Sequence, residues 1–122
     1  MNTSFERCAN TTDEWYTPKW IIDSLGEFDL DPCSPENRLW DTAKRHITPQ
    51  EDGLKTSWGG VRVWLNPPYS RPLIERFVEK MVANNNGIAL LFNRCDSKMF
   101  QDLIFPNASA ILFVRGRIKF YR

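Results

Sequence analysis

The chain has little of what marks several protein classes. Only three cysteines occur in its 122 residues, Cys8, Cys33 and Cys95, widely spaced and with no C-x-x-C pair. That argues against a disulfide framework and against a zinc site, so no metal is expected, and it suits a reducing cytoplasm. No apolar run approaches the roughly 18 residues of a membrane helix, and the N-terminus lacks a basic-then-apolar leader, so no membrane partner is expected. Net charge is nearly absent: sixteen Lys and Arg against fifteen Asp and Glu leave +1. Tight nucleic-acid binding driven by bulk charge is therefore not indicated, and any such contact has to come from local clustering. His46, the single histidine, lies in an irregular stretch and reads as surface or structural rather than catalytic. There is no repeat and no low-complexity segment.

With 42% hydrophobic and 25% charged residues, the composition is that of a globular domain. Residues 1–14 are polar and read as a flexible arm, and 15–122 as one domain, large enough for a single core but small for a complete nucleotide-cofactor enzyme. Thr17 as N-cap and Pro18 at the first helical position open a short helix over 18–25 that Gly26 stops. Phe28-Asp29-Leu30-Asp31 alternates apolar and acidic residues as a strand does, and Pro32 ends it. Residues 33–60 carry little periodicity beyond a short extended piece at Arg45-His46-Ile47. A connection this long is usually functional.

Val61 to Leu65 reads as a strand. Ser70 and Pro72 open the clearest helix, with Leu73, Ile74, Phe77, Val78, Met81 and Val82 on one face. Ile88 to Phe92 and Ile111 to Val114 are continuous apolar runs, expected as strands buried on both faces. Between them Met99, Phe100, Leu103 and Ile104 line a second helix stopped by Pro106. Alternating strands and helices predict an α/β fold, an abbreviated Rossmann-like sheet, mostly parallel, flanked by helices. Ligands in such sheets bind beyond the carboxyl ends of the strands, where Asp31, Asn66 and Asn93 to Asp96 fall.

Asn66-Pro67-Pro68-Tyr69 is the most informative stretch. Asn66 offers a carboxamide oxygen to an N–H. The prolines stiffen the backbone and carry no N–H, so the carbonyls protrude as acceptors, and Tyr69 offers a face for stacking. Such a rim can grip a flat ring bearing an amino group; read alone it is also a proline-rich turn after a strand. Asp31, where a strand ends, is placed to bind an ammonium group or a ribose hydroxyl, or else makes an Asp-Pro turn.

Glu14-Trp15-Tyr16-Thr17-Pro18, Phe28-Asp29-Leu30-Asp31, Asp52-Gly53-Leu54 with Trp58, Asn66-Pro67-Pro68-Tyr69, and Gly116-Arg117-Ile118-Lys119-Phe120 together resemble, in order and spacing, the phage and prophage family of DNA N-6-adenine-methyltransferases. The resemblance implies S-adenosyl-L-methionine as cofactor, double-stranded DNA as partner, and the cytoplasm of a bacterial host as location. It assigns Tyr16, Thr17 and Pro18 to the methionine end of the cofactor, Asp29 and Asp31 to its methionine or ribose groups, and Asn66, Pro67, Pro68 and Tyr69 to the target base. By charge alone, Arg117 and Lys119 are expected at phosphates; Arg94 contacts DNA or pairs with Asp96. The implied chemistry is direct methyl transfer to an extruded base.

Two departures stand against the wider methyltransferase pattern. No glycine-rich turn follows Asp31, and the chain reaches Arg122 where a further strand is expected. Either a partner, such as a second copy in a homodimer, supplies what is missing, or the chain binds its cofactor poorly. The competing expectations are a catalytically inactive module that binds DNA or protein, and an amino-methyltransferase acting on RNA, protein or a small molecule.

Overall fold

Helix α1, Lys19–Leu25, has Pro18 and not the expected Thr17 as its N-cap, with no capping side-chain hydrogen bond, and ends where Gly26 takes φ 92, a conformation that glycine reaches without a Cβ penalty. In the computed structural model residues 16–120 are described; the arm expected over 1–14 lies outside them. Four short strands follow α1 in chain order: β1 (Leu30–Asp31), β2 (Arg45–His46), β3 (Val63–Leu65) and β4 (Gly87–Ala89). They form one sheet in the order β2-β1-β3-β4, every pair parallel. The expected parallel α/β architecture is present, and β2 is the extended piece anticipated at Arg45-His46.

Both faces of the sheet are covered, as a parallel sheet requires. Successive β3 side chains point to opposite faces, and their packing follows that alternation. Val63 and Leu65 join Leu30, Ile47, Trp58 and Phe77 in one core, whereas Trp64 joins Phe28, Ile21 and Ile22 in the other. Helix α2, Leu73–Asn84, lies over the first core through Ile74, Phe77 and Val78. Its first turn is tied back by the Ile74 N–H, which donates to the Ser70 carbonyl at 3.1 Å, and it ends where Asn85 turns left-handed. Helix α1 covers the second core. Arg62 fastens it there: the guanidinium donates to the carbonyls of Leu25 and Glu27 and sits 4.1 Å above the Phe28 ring.

The connection from β2 to β3 is seated on the first core. Trp58 stacks on Phe77 with centroids 6.4 Å apart, and its indole N–H donates to the Gly53 carbonyl at 2.9 Å. Lys80 of α2 donates to the carbonyls of Leu54 and Thr56 at 2.8 and 2.6 Å. This half of the long irregular stretch is therefore a structural cover.

Three expectations in this part of the chain fail. The run from Ile88 to Phe92 is not buried on both faces: β4 is an edge strand in which Gly87 and Ala89 are exposed, while Ile88 and Leu90 pack toward α1. Ile111 to Val114 does not form a strand at all. These four residues are 42, 83, 60 and 46% exposed and outside the sheet. An apolar run favours pairing but cannot supply a partner, and here the chain after β4 leaves the sheet. It passes through a π-helical stretch, Phe100–Ile104, into helix α3, Phe105–Asn107. Pro106 sits inside that last turn instead of stopping it. Ile118 returns to pack against the second core.

Gly53 is where the cover meets the sheet, since a Cβ there would lie 2.2 Å from the Pro32 carbonyl oxygen. Gly53→Ala is expected to cost about 1–3 kcal/mol, read as a lower urea midpoint. An unchanged midpoint would mean that this segment is not pressed against the end of β1.

Candidate active site

Because β1 and β3 are parallel neighbours, with Leu30 paired to Val63, they end on the same edge of the sheet. Asp31 terminates one strand and Asn66 follows the other. The segment before α1 crosses above them, and the Asn66 Nδ2 donates to the Thr17 hydroxyl at 3.2 Å. The segment 35–42 folds over the same edge and is held in two places: the Tyr16 hydroxyl donates to the Asn37 carbonyl at 2.7 Å, and the Trp40 indole N–H to the Thr17 carbonyl at 2.9 Å. Between them is a crevice of about 20 Å³, lined by Thr17, Asp31, Arg38, Trp40, Thr42 and Asn66 among others.

Asp31 is 4% exposed. Its Oδ1 accepts the Cys33 N–H at 3.0 Å and its Oδ2 accepts the Thr42 hydroxyl. Burial pushes its pKa up from 3.8 to about 6, against the opposing pull of those hydrogen bonds and of the Arg38 charge. The Thr42 backbone N–H donates to His46 Nε2 at 3.2 Å. Burial, with the Arg38 charge, lowers the His46 pKa, which suits a neutral acceptor. His46 is thus structural, as expected, and its role is specific, because it orients the threonine that holds the acid. Burial, with the Asp31 charge, pushes the Cys33 thiol well above its ordinary value, which favours the protonated form near neutrality.

Tyr69 lies at the other end of the rim. Its ring stacks on Phe92 with centroids 4.1 Å apart and planes 11° from parallel. Its hydroxyl donates to the Leu90 carbonyl at 3.2 Å and accepts the Phe92 N–H at 3.1 Å. Burial raises its pKa to about 12, so the phenol does not act as a base near neutrality. The chain itself thus provides a stacking partner for the ring expected to receive a base, and Phe92, 47% exposed, is the outer member of the pair.

The profile of the DNA N-6-adenine-methyltransferase (Dam) family matches residues 6–122. The chain belongs to that family. It is 34% identical, over 98% of its length and 73% of the relative's, to a protein of Haemophilus phage HP1 named DNA N-6-adenine-methyltransferase. It shows the same identity, over 85% of its length, to a protein of that name from Escherichia phage T1, of which the match spans 45%. No solved structure gives a match.

In this Dam-family chain the structure brings Tyr16, Thr17, Asp31 and Asn66 to one crevice and leaves other expected residues apart. Pro18 is buried as the N-cap of α1. Asp29 sits at the opposite end of β1, where its carboxylate accepts the Arg62 N–H at 3.1 Å and lies 3.9 Å from Lys44. Arg94, Arg117 and Lys119 are exposed, and no ion pair joins Arg94 to Asp96 among the described residues. Sequence reasoning missed Arg38, Trp40 and Thr42. Their only signal was their place in the irregular stretch directly after the acidic strand end.

A carboxyl whose folded pKa is raised favours the folded state most when it is protonated. For Asp31 that contribution is full below its ordinary value of 3.8 and is lost as pH rises through about 6. Relative to Asp31→Asn, the wild-type protein is expected to lose up to about 3 kcal/mol between about pH 4 and pH 8, measured by urea unfolding. A difference that does not vary with pH would show that Asp31 is not buried as described.

Proposed function

We propose that the chain transfers a methyl group from S-adenosyl-L-methionine to the exocyclic N6 amine of adenine in double-stranded DNA. The observation that carries this reading is the shared rim: an acid at the end of β1 and a carboxamide just after β3 line one crevice, the carboxamide hydrogen-bonded to Thr17. The family and its phage relatives support the same reaction and substrate.

The residues at the crevice suit the cofactor's groups. Asp31 can accept from an ammonium or from ribose hydroxyls, Arg38 can pair with a carboxylate, and Trp40 presents a flat apolar wall to a purine. Asp29 has no part in this set. The enclosed space, about 20 Å³, is far below the roughly 300 Å³ of a small ligand site. Binding therefore calls for more room at this edge than the crevice holds, and segment 35–42 is a part of its lining that lies outside the sheet and helices. When bound, the cofactor supplies a methyl group made electrophilic by its sulfonium.

The chain's own contribution is positioning. The amine of adenine is a poor nucleophile because its lone pair is delocalised into the ring. Acceptors at Asn66 Oδ1 and the Pro67 carbonyl, holding the amine's protons, favour a tetrahedral nitrogen with its lone pair turned toward the methyl. Pro68 stiffens this rim, and the Tyr69–Phe92 pair offers the extruded base an aromatic surface. The amine attacks the methyl directly and the thioether leaves, so no covalent enzyme intermediate is required. Arg94, Arg117 and Lys119 serve as phosphate contacts, and the reaction belongs to the host-cell cytoplasm, where its DNA lies.

The closed crevice also favours a second reading, a non-catalytic module of the same family. Purified protein is expected to transfer labelled methyl to double-stranded DNA in preference to RNA or peptide, and Asn66→Ala to reduce turnover on the order of 100-fold or more. Calorimetry with S-adenosyl-L-methionine separates the two readings: folded protein that takes up no cofactor sinks the enzymatic one.

A further inference from the structure

The hydrogen bond from Asn66 Nδ2 to the Thr17 hydroxyl, 3.2 Å, links residues 49 apart in sequence. Thr17 is 4% exposed and immobilised on both sides. Its carbonyl takes the Trp40 indole N–H at 2.9 Å, and α1 starts two residues later. That helix packs Ile21 and Ile22 against Trp64, two residues before Asn66. The threonine and the asparagine are thus mounted on the same core, one at the start of α1 and the other at the end of β3.

A carboxamide is bifunctional, and only one of its ends can accept from an amine. The Thr17 hydroxyl can donate as well as accept; in the structure it accepts from Nδ2, which leaves the oxygen on the opposite branch of the planar group. We infer that Thr17 is a positioning residue for Asn66, holding its amide nitrogen so that Oδ1 faces the target amine. Resting on the methyl-transfer reading above, this gives Thr17 a role in turnover beyond lining the cofactor crevice. It also explains why a hydroxyl, and not merely a small side chain, stands before Pro18.

Thr17→Val keeps the shape and removes the acceptor, whereas Thr17→Ser keeps the acceptor. The valine variant is expected to lose about 10- to 100-fold in kcat at saturating S-adenosyl-L-methionine, beyond any change in its Kd, and the serine variant to recover most of that loss. Side-chain amide exchange of Asn66, followed by NMR and assigned by its disappearance in Asn66→Asp, is expected to be slowed in the wild type and serine variant and fast in the valine variant. If valine unfolds the chain, Thr17→Ala carries the same comparison. Valine that turns over like wild type, or that loses only cofactor affinity, overturns the inference, as does an exchange rate indifferent to residue 17. A wild-type protein that transfers no methyl sinks the methyl-transfer reading instead, and the exchange measurement still decides whether Thr17 holds Asn66.

Discussion

Parallel pairing makes neighbouring strands end on the same side, and the pairing of β1 with β3 is the constraint on which the candidate site depends. A single register, Leu30 opposite Val63, places the end of one strand beside the end of the other. Asp31 and Asn66, 35 positions apart in the chain, thereby become neighbours on one rim. The alternation along β3 does the rest. Val63 and Leu65 are committed to the α2 side and Trp64 to the α1 side, so β3 is held from both faces and Asn66 leaves it in a defined direction.

Polar groups near that rim are held by other elements in sequence order quite unlike their spatial order. His46 on β2 holds the Thr42 backbone, Thr42 holds the Asp31 carboxylate, and Thr17 holds the Asn66 carboxamide. A buried acid with two donors tolerates the loss of water because hydrogen bonds replace part of the solvation. The same burial leaves it near the point of protonation at mildly acidic pH. An acid so poised responds strongly to a nearby positive group, which is a useful property at the edge of a crevice lined by Arg38.

The β2–β3 connection and the segment 35–42 divide a stretch that looks uniform in sequence. Both lack periodicity and contain proline or glycine. One is bound down by Trp58, Gly53 and Lys80 and buries an aromatic residue on α2; the other is attached by the hydrogen bonds of Tyr16 and Trp40 above the rim. Composition cannot separate the two, because the difference lies in what each segment meets.

The sequence by itself determined the α/β class, α1 to within a residue of its observed start, the amphipathic face of α2 and the strand ends bearing Asp31 and Asn66. These follow from local signals, periodicity and proline punctuation; Thr17 and Ser70 do not cap the helices, whose N-cap positions are Pro18 and Pro72. Family membership was legible in the joint order of five short motifs. Only the tertiary structure decided that β4 is an edge, that Ile111 to Val114 stays outside the sheet, that Asp29 meets Arg62 and Lys44 outside Asp31's crevice, and that Tyr69 already stacks on Phe92. It alone brought Arg38, Trp40 and Thr42 to the rim. Each of these depends on a partner distant in the chain, and local apolarity or charge specifies a preference for burial or pairing without specifying the group that satisfies it.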